Sequence, residues 1–214
     1  MFPQRLAAGY HSFLHGRLEH ERERYEKLAR EGQSPEIMVI GCGDSRVAPE
    51  AIFDAGPGEI FVIRNIANLV PPCEDDTDRS FHGTSAAIEF AVNALQVKHI
   101  VILGHARCGG VAAFANKAAP LSKRDFIGKW MSQIAPVLDR VGPRTDDEPT
   151  GWIRRVEWAV VEHSLTNLMT FPVVREAVQQ GRLKLHGAYF GVATGVLFVR
   201  DPETGTFSPC AEPV

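Results

Sequence analysis

The amino-acid sequence predicts a three-layer α/β domain on a mostly parallel sheet, preceded by a helical arm. Three observations carry that prediction. Apolar runs at 37–40, 60–63 and 100–103 are continuous rather than alternating, the pattern of strands buried on both faces. Helical patterns lie between the runs, and a β-α-β-α order places helices on both faces of the sheet. The composition is 44% hydrophobic and 23% charged over 214 residues, ordinary for a globular protein. At this length about 70% of the unfolded chain's surface becomes buried, so the core needs no disulfide staples.

The elements follow in order. Residues 2–31 read as one helix, with Leu6, Tyr10, Phe13, Leu14, Leu18, Tyr25 and Leu28 recurring mostly at three- and four-residue steps and Gly32 ending it. So long a stripe needs a covering surface, a partner subunit or the domain itself, and we favour the partner. The chain thus divides into a dimerisation arm, 1–32, and one domain, 33–214. Within the domain, helices are expected over 84–95, opening on a Thr84 cap, and over 109–116, 126–138 and 152–169. Later strands are expected at 183–185 with 188–190, and at 196–199. The short connection through 191–195 makes the last of these an antiparallel edge strand. Segments 71–80 and 141–151 are polar and proline-containing and read as loops. There is no internal repeat.

Lys plus Arg is 23 and Asp plus Glu is 26, a formal net charge of −3. Nucleic-acid binders concentrate basic charge on one face, whereas here Arg17, Glu19, Glu21, Arg22, Glu23 and Arg24 interleave as on a solvated helix. No stretch has the length and apolarity of a membrane span or a signal-peptide core, and a cytoplasmic location is the expectation. In that compartment Cys42, Cys73, Cys108 and Cys210 are candidates for metal or catalysis before disulfides.

Two segments carry chemistry. Cys42-Gly43-Asp44-Ser45-Arg46 and His105-Ala106-Arg107-Cys108-Gly109-Gly110 each follow a buried strand, where open α/β sheets place their ligands. Cys42, His105 and Cys108 form a Cys2His set suited to zinc, leaving a fourth position for water as a catalytic site does. By itself the His-x-x-Cys spacing is better explained by a core histidine beside a buried cysteine; the context shifts the balance. Cys108 opens a helix, whose N-terminus favours a thiolate, and the glycines after it let backbone approach. Asp44 and Arg46 lie two and four residues beyond Cys42, on one side of an extended chain. Asp44 suits zinc or a water on it, and Arg46 suits a carboxylate.

These motifs resemble those of the β-class carbonic anhydrases. CGDSR at 42–46 and HARCGG at 105–110 carry the resemblance, supported by PGEIFVIRNIAN at 57–68, GTSAAIEFAV at 83–92 and LHGAYF at 185–190, so that it spans about residues 33–200. The resemblance implies a four-stranded parallel core with an added antiparallel strand, dimers as the minimal unit, and an arm reaching over the partner. It implies one Zn2+ per chain on Cys42, His105 and Cys108, with Asp44 a fourth ligand in a closed form only and Asp44–Arg46 a catalytic dyad. It places Gln33, Phe61, Ile66, Phe90 and Gly109 at a substrate pocket formed across the dimer interface. Phe90 departs from the tyrosine of plant-type members, which leaves any role of that hydroxyl without a carrier here. The tryptophan of a regulatory bicarbonate site is replaced by Val39, so inhibition through that pocket is not expected even though Arg64 is present.

The implied reaction is reversible hydration of CO2 to bicarbonate and a proton, by attack of zinc-bound hydroxide. Two thiolates and a neutral imidazole leave the ion formally neutral, so the dyad must help activate the water. The competing readings are hydrolysis of carbon disulfide or carbonyl sulfide at the same site, and a non-enzymatic zinc- or redox-responsive binding protein. His82 reads as a loop or helix-entry residue, and His11, His15, His20, His99, His163 and His186 as packing or surface residues.

Overall fold

The computed structural model describes residues 1–74, 83–144 and 149–211. Among these, strands β1 (Ile37–Cys42), β2 (Ile60–Asn65), β3 (His99–His105), β4 (Lys184–Phe190), β5 (Leu197–Arg200) and β6 (Phe207–Pro209) form one sheet in the order β2-β1-β3-β4-β5-β6. The first four are parallel; β5 and β6 are antiparallel to their neighbours. The predicted α/β class and parallel core therefore stand. Helices α3 (Pro49–Ile52), α4 (Gly83–Glu89), α5 (Gly109–Ala115), α6 (Phe126–Met131), α7 (Ala135–Val141), α8 (Pro149–Leu168) and α9 (Pro172–Gln179) flank the sheet.

The apolar runs of β1 and β3 have the predicted cause, whereas β2, expected to be buried on both faces, stands at the edge of the sheet among the described residues and is only half-buried over 60–63. Met38, Ile40, Ile100 and Ile102 point into one core layer with Ile88 and Leu168, and Val39 and Leu103 into the other, all nearly inaccessible to water. Each such side chain contributes about 1.5–3 kcal/mol by its removal from water. Helix α8 lies close on β3 and β4. A Cβ built on Gly104 would stand 2.5 Å from Val161 Cγ2, and one on Gly187 3.1 Å from Val161 Cγ1. These two glycines let the helix approach the sheet.

Several elements differ from expectation. The arm is two helices, α1 (Gln4–Leu14) and α2 (Arg17–Glu31), broken at Gly16, whose φ of −137° and ψ of −93° are not helical. There a Cβ would meet the Ser12 carbonyl oxygen at 2.9 Å. Phe13 and Tyr25 pack edge to face across the break. Neither helix buries a residue. The arm touches the domain through Arg24, which donates to the Pro57 carbonyl at 2.7 Å and pairs with Glu59 at 2.9 Å. Strand β5 is not the edge, because β6 pairs beyond it. Asp201 Oδ1 closes the intervening turn by accepting from the Glu203 and Thr204 amides. The helix expected over 84–95 becomes α4 followed by a π-helical turn, Phe90–Ala94. Thr84 is not its cap but lies inside α4, its hydroxyl accepting from Asn65 Nδ2 at 3.3 Å. The helix expected over 126–138 is divided by a 3-10 turn, Ser132–Ile134. His82 and parts of the 71–80 and 141–151 loops lie outside the described residues.

Candidate metal centre

The site grows from two adjacent parallel strands. β1 and β3 are in register from Ile37–His99 to Gly41–Leu103, so both end at the same edge of the sheet. Cys42 closes one strand and His105 the other. The chain then turns sharply through Arg107, at a left-handed φ of 58°, to deliver Cys108 as the residue capping α5. The Cys42 and Cys108 sulfurs lie 4.0 Å apart, about twice the length of a disulfide bond, and both are free thiols. The donor atoms of Cys42, His105 and Cys108 all lie within 4.8 Å of one another, and all three residues are buried.

The electrostatics are those of a cradle that wants a cation. His105 Nδ1 faces the Ala106 carbonyl oxygen at 3.0 Å. Nε2 is left free, buried and without a hydrogen-bond partner among the described residues. The Cys108 thiol pulls the Cys42 thiol well below the usual range by hydrogen bonding to it. Cys108 is in turn pushed up by its contact with Cys42 and by burial. Two thiolates cannot share this buried space without a positive charge between them. Burial opposes charge on His105, but the neighbouring Cys42 sulfur, the Ala106 carbonyl and the Asp44 carboxylate together raise the imidazole. An orphaned imidazole nitrogen converging with two thiols is the donor chemistry of zinc, so the residues fit that ion.

Beside the cradle, Arg46 holds Asp44 in a fork. Nε donates to Oδ1 at 2.9 Å and Nη2 to Oδ2 at 2.7 Å, while the Arg46 amide adds a third bond to Oδ1 at 3.0 Å. The side-chain bonds first, and then the backbone one, hold the Asp44 carboxyl well below the usual carboxylate range. Asp44 lies outside the converging donor set. Arg64 donates to the carbonyls of Cys42 at 2.8 Å and Asp44 at 2.5 Å. These two bonds hold the 42–46 loop, while Val39 is buried in the core.

The pocket residues divide. Ile66 follows β2 at the cradle's level, its carbonyl accepting from Trp130 Nε1 at 2.8 Å and its Cγ2 2.8 Å from where a Gly110 Cβ would stand. Gly109 has open space before it. Phe61, by contrast, pairs with Met38, four residues short of Cys42, hence about 13 Å back along the strand. There it packs on Phe90, ring centroids 5.8 Å apart. Gln33 is exposed, ahead of β1 and beyond them both. One chain therefore does not gather all five. Sequence reasoning missed the use made of Arg64 and the buried Glu157, which accepts from the Cys108 amide at 3.0 Å. A lone acid among apolar residues in 156–161 was the available signal. Among the described residues no other histidine joins the cradle: His99 and His186 bond each other at 3.0 Å, and His163 faces Asn167.

Fold and site define an α/β protein with a buried three-donor metal cradle and a carboxylate–guanidinium pair at the carboxyl edge of its parallel strands. Residues 37–197 match the family model described as carbonic anhydrase. The chain is 38% identical over 177 residues to the chloroplastic β carbonic anhydrase 5 of Arabidopsis thaliana, covering 78% of this chain and 54% of that relative; it spans about half the relative's length. Among solved structures, the β-carbonic anhydrase CcaA superposes with a TM-score of 0.85 at 29% identity, over 99% of this chain and 93% of that one. A tetrameric β-carbonic anhydrase of Sordaria macrospora gives 0.78 at 31% identity, over 96% and 98%. The chain belongs to the β-carbonic anhydrase family.

Proposed function

We propose that the protein catalyses reversible hydration of CO2 to bicarbonate and a proton with one zinc ion per chain. The observation that carries this reading is the buried Cys42–His105–Cys108 cradle lying beside the bidentate Asp44–Arg46 pair. Zinc held by the two thiolates and the imidazole supplies Lewis acidity that makes water a nucleophile at neutral pH. Asp44 is the acceptor that orients that water's proton, and Arg46 keeps it ionised and turned. The Ala106 carbonyl holds the His105 tautomer with Nε2 free. Gly109 leaves room for a linear triatomic substrate, and Ile66 offers it an apolar wall.

We further propose a homodimer as the minimal unit, with tetramers built from it. β2 stands at the edge of the sheet among the described residues, and α1 and α2 bury nothing, so both are suited to a second copy. Gln33, Phe61 and Phe90 then serve the partner's pocket. Val39, in place of the tryptophan of a regulatory bicarbonate site, supports the absence of such a site.

Stopped-flow CO2 hydration over about pH 6.5–9, with zinc counted on the same sample, tests the reading. Rapid hydration rising with pH at about one zinc per chain is expected. Zinc at that level with no hydration at any pH refutes it and moves the substrate to a sulfur analogue or the role to binding.

A further inference from the structure

One buried acid lies against the cradle without a part in the chemistry above. Glu157, on α8, is 4% exposed. Its Oε1 accepts from the Cys108 backbone N–H at 3.0 Å, and its Oε2 accepts from the Tyr189 hydroxyl at 2.6 Å. Tyr189 is itself 2% exposed and belongs to β4. The other side of the same peptide is also held, since the Arg107 carbonyl accepts from Arg46 Nη2 at 3.2 Å. One peptide plane, between Arg107 and Cys108, is therefore gripped at its N–H by a buried carboxylate and at its C=O by the dyad arginine. The grip falls where it is needed, because Arg107 takes a left-handed conformation without being glycine, which a non-glycine residue keeps only when its surroundings impose it.

We propose that Glu157 is a positioning residue for the metal centre. It acts through the Arg107–Cys108 peptide to set both the direction of the Cys108 sulfur and the carbonyl on which Arg46 rests. Tyr189 fixes the carboxylate in turn, so the line of support runs from β4 through α8 to the cradle and the dyad. This inference rests on the reading of Cys42, His105 and Cys108 as metal ligands. It goes beyond that reading in assigning a role to a residue that touches neither metal nor substrate.

The test compares wild type with Glu157→Ala, Glu157→Gln and Tyr189→Phe. Zinc affinity is read by competition with a chromophoric chelator. Hydrogen exchange of the Cys108 amide is read on metal-free protein. Removing an outer partner of a ligand weakens metal binding by roughly 10–100-fold, and Glu157→Ala is expected in that range with faster Cys108 exchange. Glu157→Gln still offers an oxygen to the Cys108 N–H and is expected to stay near wild type. Tyr189→Phe, which keeps the ring and loosens the carboxylate, is expected between the two. Wild-type affinity in Glu157→Ala, or a loss in Glu157→Gln as large as in Glu157→Ala, overturns the assignment. If Glu157→Ala does not fold, unchanged affinity and exchange in Tyr189→Phe overturns it instead. A wild-type chain that holds no zinc removes the metal reading and this inference with it. A wild-type chain that holds zinc while Glu157→Ala is unaffected removes only the inference.

Discussion

Arg46 illustrates how much one side chain carries. It makes two bonds to Asp44 and one to the Arg107 carbonyl, yet none to a metal donor. Its removal loosens the Arg107 carbonyl but leaves the Glu157 bond to the Cys108 amide, so it should keep the three donors together while freeing Asp44 to turn. Arg46→Ala is expected to lower kcat on the order of 100-fold or more while zinc stays at the wild-type level. Full turnover in that variant would take the dyad out of the mechanism. The cysteines, the histidine and the dyad were legible in the sequence because each sits within a few residues of a buried strand end. Arg64 and Glu157 were not assigned their roles because each acts on a distant backbone group, 22 and 49 residues away in the chain. A side chain that bonds a carbonyl or an amide needs no particular partner residue, so no pair of letters records the contact.

At the scale of elements, the close approach of α8 to the sheet invites a packing test. Gly104→Ala would drive a methyl into Val161 Cγ2. Overpacking of this kind costs about 1–3 kcal/mol, so a lowered Tm is expected, partly recovered in the Gly104→Ala/Val161→Ala double variant. No recovery would mean that the cost lies in the strand rather than in the helix contact. The β3–β4 pair carries a second test. His99 and His186 are hydrogen-bonded across it, and burial first, then the charges of His99 and Lys184, lower the His186 pKa from its ordinary 6.5. The unfolded chain then binds the proton more readily than the folded one. The stabilising contribution is complete above about pH 6.5 and is lost as pH falls toward the folded value. His186→Gln keeps a hydrogen-bonding partner for His99 but cannot take up a proton at this position, so its loss of Tm between pH 7.5 and 5.5 should be smaller than wild type's. An equal loss would place the acid sensitivity elsewhere. Parallel strands were read correctly because apolar continuity is a local signal. The arm's break and β6 were not, since the break depends on one glycine inside an otherwise continuous stripe. β6 is three residues long and only partly apolar, with its pairing set by the turn at Asp201.

The whole molecule poses the question of whose pocket is whose. Gln33 precedes β1 while Cys42 ends it, and the strand alone spans about 16 Å. A glutamine there cannot serve the cradle of its own chain along that path. If it serves a symmetric partner, each pocket takes the dyad from one chain and Gln33 from the other. That arrangement predicts complementation between two crippled variants. In a mixed dimer of Gln33→Ala and Arg46→Ala chains, one pocket collects both defects and the other collects neither. Random reassortment of equal amounts makes half of the dimers mixed, so about a quarter of all pockets become whole. Co-expression, or joint denaturation and refolding, should therefore raise turnover well above the mean of the two separate variants, toward a quarter of wild type. Turnover equal to that mean, in a sample whose mixed dimers are verified by differential tags, would return Gln33 to its own chain or remove it from the pocket altogether.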